Sequence, residues 1–304
     1  NRLMTSQDTE FPLERLSDIQ ARAADFKLLE RIPLTLDGVS WPLKLADPVG
    51  DEKKLVLLDV ESTGLNIQEE AITELGLVSV DYSPSAGRIS SINAVLSVYD
   101  DPGKPIPNEI TQLTGITDAM VKGQHIDPDM VSQWLDGAAL IVAHNAWFDR
   151  QMFEKRFPEQ TDYAWACSFK GIDWKPLGFK SLALDYLLLR LGWFYEGHRA
   201  SIDCLAMAWM FHLLPQAFES LLAQADQRTV RVQAMGAPFA VKDTLRGRQY
   251  RWHNGDKGPA KHWWRDVPEE ELHDEKAFLD TLYSKGSERA QYIYLDARAR
   301  FKGD

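Results

Sequence analysis

From Lys53 the chain runs KKLVLLDV, a charged entry into a continuous apolar stretch, which is the pattern of a strand buried on both faces. STGLN ends it with Gly64 and Asn66, so Asp59 and Glu61 fall at the strand's end. Two further strand-like segments, ITELGLVSVDY and RISSINAVLSVY, flank SPSAG, whose Pro and Gly predict a hairpin-like turn. From Asn108 the period becomes helical, with a short piece around EITQLT, a second over Thr117–Val121 capped by Thr117, and a third over Pro128–Leu135. AALIVAH reads as a fourth buried strand, followed by helical patterns at Trp147–Arg156, Ser181–Leu191 and Ala200–Leu214. The βββ-α-β-α-α order predicts an α/β fold, an open mixed sheet flanked by helices, with chemistry at strand and helix ends.

Residues 1–52 carry a short amphipathic stretch near Leu13–Leu29 and Pro-containing extended sequence without a motif, and read as an N-terminal extension. Pro215 and LLAQADQ close the domain spanning 53–226, and composition shifts near Arg228. Within 227–304, RQYRWHNGDKGPAKHWWRDV reads as two aromatic strands around an Asn-Gly and Gly-Pro loop. PEEELHDEKAFLDTLY follows as an acid-capped helix, giving a small C-terminal α+β module.

A chain of 304 residues, 44% hydrophobic and 26% charged, has room for one sizeable domain and a smaller one. No run approaches the ~18 apolar residues of a membrane span, and the N-terminus lacks the apolar core of a secretory signal, so a soluble protein with no membrane partner is expected. Only Cys167 and Cys204 occur, without a CxxC pair, which predicts neither a disulfide framework nor structural zinc and fits a reducing, cytoplasmic setting.

The net charge of −11 argues against a nucleic-acid partner until its distribution is considered. Between Gln227 and Arg265 stand nine basic residues, Lys257 among them, and two acidic ones. There Tyr250, Trp252, Trp263 and Trp264 interleave with Arg246, Arg248, Arg251, Lys261 and Arg265. That composition suits single-stranded nucleic acid, whose bases stack on aromatics while cations follow the backbone, and equally a small domain with a tryptophan core.

The candidate chemistry lies in three segments. Alternation along a strand points Asp59 and Glu61 of DVE to one face, where hard oxygen ligands can share a divalent cation. Asp149, in AHNAWFD, falls where a buried strand passes into a helix, a position that also suits a first-turn acid favoured by the helix dipole. Asp203, in HRASID, lies in the first turns of an otherwise apolar helix and needs a partner there, with His198 just before it.

Taken in order, DVESTGL, AHNAWFD and HRASID resemble the three motifs of the DEDDh family, the DnaQ-like 3′→5′ exonucleases, in its histidine form. PNEITQLTGITDAMV is similar to the segment such exonucleases carry between their first two motifs, so the resemblance covers roughly 53–214. DVEST departs from relatives that have Thr at position 60 or 62, neither of which supplies a carboxylate. The resemblance implies an RNase H-like sheet and hydrolysis of phosphodiesters from a 3′ end with two divalent cations, Mg²⁺ or Mn²⁺. Asp59 would bridge them, Glu61 and Asp203 would complete one site, Asp149 would support the other, and His198 would take a proton from the attacking water.

The resemblance also places Thr63, Gly64 and Leu65 near the terminal nucleotide and His144, Asn145 and Phe148 near its sugar and base, with Ile116 as either a stacking wedge or plain core. APFAVKDTLRGRQYRW with HWWRD resembles a module appended to some bacterial DnaQ-like exonucleases, without fixing its role. DNA, single-stranded or with a frayed end, is the leading substrate, RNA trimming the alternative, and a non-catalytic binding protein the remote one, since no acid or histidine is missing. The chain has no GxxxxGK[ST] motif, so synthesis or unwinding would come from a polymerase or repair partner.

Overall fold

The apolar run after Lys53 lies within a six-stranded mixed sheet in a computed structural model that describes residues 12–34, 38–255 and 260–303. Ahead of it come a short helix, α1 (Leu16–Ala21), and two-residue strands β1 (Glu30–Arg31) and β2 (Leu43–Lys44). The expected strands follow as β3 (Lys53–Ser62), β4 (Ile72–Ser83) and β5 (Arg88–Tyr99), an antiparallel meander. Helices α2 (Asn108–Thr114), α3 (Asp118–Val121) and α4 (Pro128–Leu135) lead to β6 (Leu140–Ala143), parallel to β3. Helix α5 (Ala146–Arg156) then leads to β7 (Trp165–Cys167), parallel to β6. After it come α6 (Leu184–Arg190), β8 (Trp193–Phe194), α7 (Ala200–Leu213) and α8 (Pro215–Asp226). The sheet order is β2-β5-β4-β3-β6-β7.

Strand β3 shows why its sequence is apolar throughout. Leu55 and Leu57 join the core formed with α6, α7 and α8, while Val56, Leu58 and Val60 join the one formed with α4 and α5. By the same alternation Asp59 and Glu61 continue the α7 side. Three expectations change in detail. The N-terminal extension is partly built into the domain, because β2 pairs with β5, β1 pairs with β8, and Ile32 and Leu34 are buried in the α7-side core. Its amphipathic stretch buries nothing in α1. The helix expected from Ser181 begins only at Leu184, after Ala183 in an extended conformation.

The C-terminal segment forms β9 (Thr229–Met235), α9 (Lys242–Gly247), β10 (Arg251–His253), β11 (His262–Pro268), α10 (Leu272–Leu282), α11 (Gly286–Arg289) and β12 (Gln291–Leu295). Its antiparallel sheet has the order β10-β11-β9-β12, and the two aromatic strands pair Trp252 with Trp263. Lys257 and the Gly258-Pro259 of the expected loop lie outside the described residues.

Residues beyond β12 return to the first domain. The Trp165 N–H on edge strand β7 donates to Ala297 O at 2.8 Å. Arg150, fully buried, donates to Arg298 O and Arg300 O, each at 2.7 Å, and to Glu154 Oε1 at 2.7 Å. Arg300 in turn donates to Gln224 O at 2.7 Å. The tail therefore compensates a buried cation one position past Asp149. Ending the chain after Leu295 is expected to lower stability by about 1.5–3 kcal/mol, because it removes the carbonyls that accept from buried Arg150 and leaves Glu154 as its counter-charge. Urea unfolding of the two forms measures this, and equal midpoints would show that the tail is not a structural part of the first domain.

Candidate active site

Helix α7 comes close enough to β4 to complete the site because Gly76 faces it. A Cβ on Gly76 would lie 2.3 Å from the Ala200 carbonyl carbon and the Ser201 nitrogen, so only glycine admits this approach. Gly76 is paired with Asp59 across the β3–β4 ladder. The first turn of α7 thus brings Asp203 over the strand end, where ligand oxygens of Asp59, Glu61 and Asp203 all lie within 4.8 Å of one another.

Asp149 arrives from the opposite face of the sheet, on the first turn of α5. Its Oδ1 accepts the Val60 N–H at 3.2 Å, tying α5 to the backbone between the two β3 acids. It is buried and adjoins the trio without belonging to it. His198 is exposed and has φ 63°, a left-handed conformation uncommon for a residue with a side chain, immediately before α7. A positive charge on His198 would favour ionised Asp203, five positions further on.

Three residues that sequence reasoning passed over hold this end of α7. Glu74, fully buried and opposite Glu61 in the ladder, accepts Arg199 Nε at 3.1 Å and Ser97 Oγ at 2.7 Å. The Arg199 N–H donates to Asp203 Oδ2 at 3.1 Å, and the Tyr195 hydroxyl donates to Asp203 Oδ1 at 2.9 Å. An acid inside the apolar run ITELGLVSV was the one available signal for Glu74.

The electrostatics follow from this crowding. Burial, and then the charges of Asp149, Asp203 and Glu61, push Asp59 well above the usual carboxylate range. Burial, then Asp203 and Glu74, raise Glu61 to about 8. Burial raises Asp149 to about 7, against the opposing hydrogen bond from Val60, and raises Asp203 as well. The three clustered acids keep partial solvent access. The adjacent guanidinium, Arg199, is engaged by Glu74. Three hard oxygen donors converging without a cation of their own fit a divalent metal ion.

The expected substrate contacts divide. Leu65 is 85% exposed at the tip of the turn after the acids, and Asn145 is exposed at the start of α5. Gly64 packs near the Glu70 side chain, and buried Thr63 hydrogen-bonds Glu70, so both shape that turn. Phe148 packs on the α5-side core. His144 is not available as expected: its Nδ1 meets Ser168 Oγ at 2.8 Å and its Nε2 meets Leu182 O at 2.7 Å, and burial lowers its pKa to about 4. Ile116 is plain core, fully buried beside Ile106 and Val121.

In the C-terminal module Arg246, Arg251, Trp252 and Lys261 are exposed. Four of the nominated contacts are structural instead. Trp263 lies in the module's core. Trp264 is buried against Trp147 and Arg231. Arg248 and Arg265 both pair with Glu275, which is itself buried.

A family model described as exonuclease, RNase_T, matches residues 56–211. Over 160 residues the chain is 28% identical to the DNA polymerase III PolC-type of Clostridium perfringens, covering 50% of this chain and 10% of that protein. It is 37% identical over 100 residues to the PolC-type polymerase of Halalkalibacterium halodurans, covering 32% of this chain and 6% of that one. The chain thus spans about a tenth or less of the length of these curated relatives. Among solved structures it is similar to Exonuclease X in complex with 5′ overhanging duplex DNA, at 25% identity and a TM-score of 0.41, covering 55% of this chain and 92% of that one.

The raised carboxyls set a pH dependence for the metal-free protein. Below about pH 4 these groups are neutral both folded and unfolded and contribute nothing. Above that the folded state holds the extra protons, so stability falls as pH rises, with the Glu61 share of the loss complete once pH passes its folded value of about 8. In chelator the melting midpoint is therefore expected to fall from acid to mildly alkaline pH, Asp59→Asn to lessen that fall, and Mg²⁺ or Mn²⁺ to restore the midpoint most at the alkaline end. Scanning fluorimetry across pH checks this, and a metal-independent midpoint at every pH would contradict it.

Proposed function

The chain belongs to the exonuclease family whose model spans residues 56–211, the DnaQ-like group its motifs resemble, and from that premise we propose that it hydrolyses DNA from the 3′ end. The observation that carries the reading is the convergence of Asp59, Glu61 and Asp203, with Asp149 beside them and His198 at the head of α7. DNA is favoured over RNA because the matched relatives are DNA polymerases. A polymerase or repair partner remains part of the same reading, since the chain matches only a small part of those proteins.

Asp59, Glu61 and Asp203 would hold one divalent cation, and Asp149 beside them would help to hold a second. Two such ions, Mg²⁺ or Mn²⁺, when bound, activate water and neutralise the attacking and leaving oxygens of the phosphodiester. The protein's own residues do the rest. His198 accepts the proton of the attacking water, and its exposed position allows that proton to pass to solvent. Tyr195 and the Arg199 N–H hold both oxygens of Asp203, so the carboxylate keeps its orientation while nucleotides enter and leave. Leu65 and Asn145, both exposed, would meet the terminal nucleotide, and the Thr63–Glu70 contact keeps the Leu65 turn in place.

On 5′-labelled oligonucleotides the protein is expected to give a ladder shortened from the 3′ end with Mg²⁺ or Mn²⁺ and none in chelator. Asp59→Ala should abolish trimming, and His198→Ala should lower kcat by about 10²–10⁴-fold, with both variants folded by circular dichroism. Retained trimming in either would remove that residue from the mechanism, and faster trimming of matched RNA would overturn the choice of polymer.

A further inference from the structure

A large cleft lies apart from the clustered acids. It has a volume of about 900 Å³ and runs between the first domain and the C-terminal module. One wall is the segment Phe169–Leu182, which contributes Lys170, Lys175 and Lys180, and the other is the β9–β11 face, which contributes Arg251 and Trp264. At one end it reaches Asn145, four residues before Asp149 and so about 6 Å along the helix axis from that acid.

Its charge runs against that of the chain as a whole. Among the described residues Lys170, Lys175, Lys180 and Arg251 make no ion pair, and the three lysines are exposed. Of the two acids lining the cleft, Asp266 is engaged by Arg231, and Asp173 accepts the Lys175 backbone N–H at 3.3 Å. Aromatic faces stand among the cations: Trp147 and Trp264 stack at 6.5 Å, the Arg251 guanidinium lies 5.3 Å from the Trp264 ring, and Phe169 lines the same space.

The lining is also incomplete in hydrogen bonds. Buried Trp264 Nε1, Arg300 Nε and Gln224 Oε1 lack partners within the protein, and all three residues line this cleft. Buried polar atoms without partners are costly and few, but these three are closed off from the cleft, and its accessible cations and rings are what an occupant would meet. Four cations without ion pairs beside the partly exposed rings of Trp147 and Phe169 describe an occupant with anionic oxygens and flat bases.

We propose that this cleft holds a single strand of nucleic acid on the 5′ side of the bond being cut, and delivers its 3′ end past Asn145 to the carboxylates. The proposal rests on the exonuclease reading and adds to it the path of the strand and a role for the C-terminal module as one wall. A single strand fits because bases stacked on Trp147 or Phe169 cannot also be stacked in a duplex. The lysine segment supplies contacts to phosphates, and Arg251 supplies them from the facing wall.

The test compares the full chain with a Lys170→Gln/Lys175→Gln/Lys180→Gln variant, with Arg251→Gln, and with Lys53→Gln as a cation removed at the far end of β3. The triple variant is expected to lose on the order of tenfold in kcat/KM on a long oligothymidylate, and the log–log salt slope to flatten by about 2 for three lost single-strand contacts. Arg251→Gln should shift both in the same direction by a smaller amount, and Lys53→Gln should match the unaltered protein. Wild-type rate and slope in the triple variant, or an effect from one wall alone, would overturn the cleft as the strand's path. If the unaltered protein trims no oligonucleotide, the exonuclease reading fails by itself. Fluorescence anisotropy with the same labelled oligothymidylate then decides the cleft, supporting it if the triple variant binds at least tenfold more weakly and overturning it if affinity is unchanged.

Discussion

Helix α7 lies directly on strand β4 at Gly76, and most of the site follows from that approach. With no side chain at this position, the backbone of Ala200 and Ser201 reaches the ladder opposite Asp59. Asp203, one turn along, then has no position except over the β3 acids. The same close packing thins the water around the carboxylates and sets them against one another, which raises their affinity for protons. A protein that only needed stability would place a cation there. This one pairs Arg199 with Glu74 instead, which fixes the end of α7 and leaves the Asp59 cluster without an ion-pair partner among the described residues. The unbalanced charge makes the site receptive to hard divalent ions.

Much of this was legible in the sequence where periodicity is strong. The run from Leu55 to Leu58 has the pattern of a strand covered on both sides, and alternation along such a strand puts Asp59 and Glu61 on one face. Asp149 and Asp203 could be placed at helix starts, but nothing in their spacing says that α5 and α7 lie on opposite faces of the sheet and meet at its end. That meeting depends on a glycine, and a glycine within a strand reads only as a weak position. His144 shows the converse. Its motif position is that of a substrate contact, yet both ring nitrogens are taken by Ser168 and Leu182, partners far along the chain.

The C-terminal module illustrates how composition alone divides ambiguously. Its tryptophans and arginines suited a nucleic-acid surface and a small core equally, and the structure divides them between the module's core and the wall of a cleft. Trp263 and the Glu275 pairs hold the module together, while Arg251 and Trp264 face the first domain. Strand β7, three residues long, and β2, two residues long, are too short to carry a period and take their conformation from neighbours. The tail that covers β7 then makes the module part of the catalytic domain's own packing, since Arg150 sits beside Asp149 and is held by tail carbonyls.

The central claim is that these acids form a metal-dependent hydrolytic centre, and locating the metal tests it most directly. Crystals soaked in Mn²⁺ and measured for anomalous scattering should show an ion within coordinating distance of Asp59, Glu61 and Asp203. The peak should vanish in Asp59→Asn. Strong manganese peaks elsewhere with none at these three carboxylates would contradict the account.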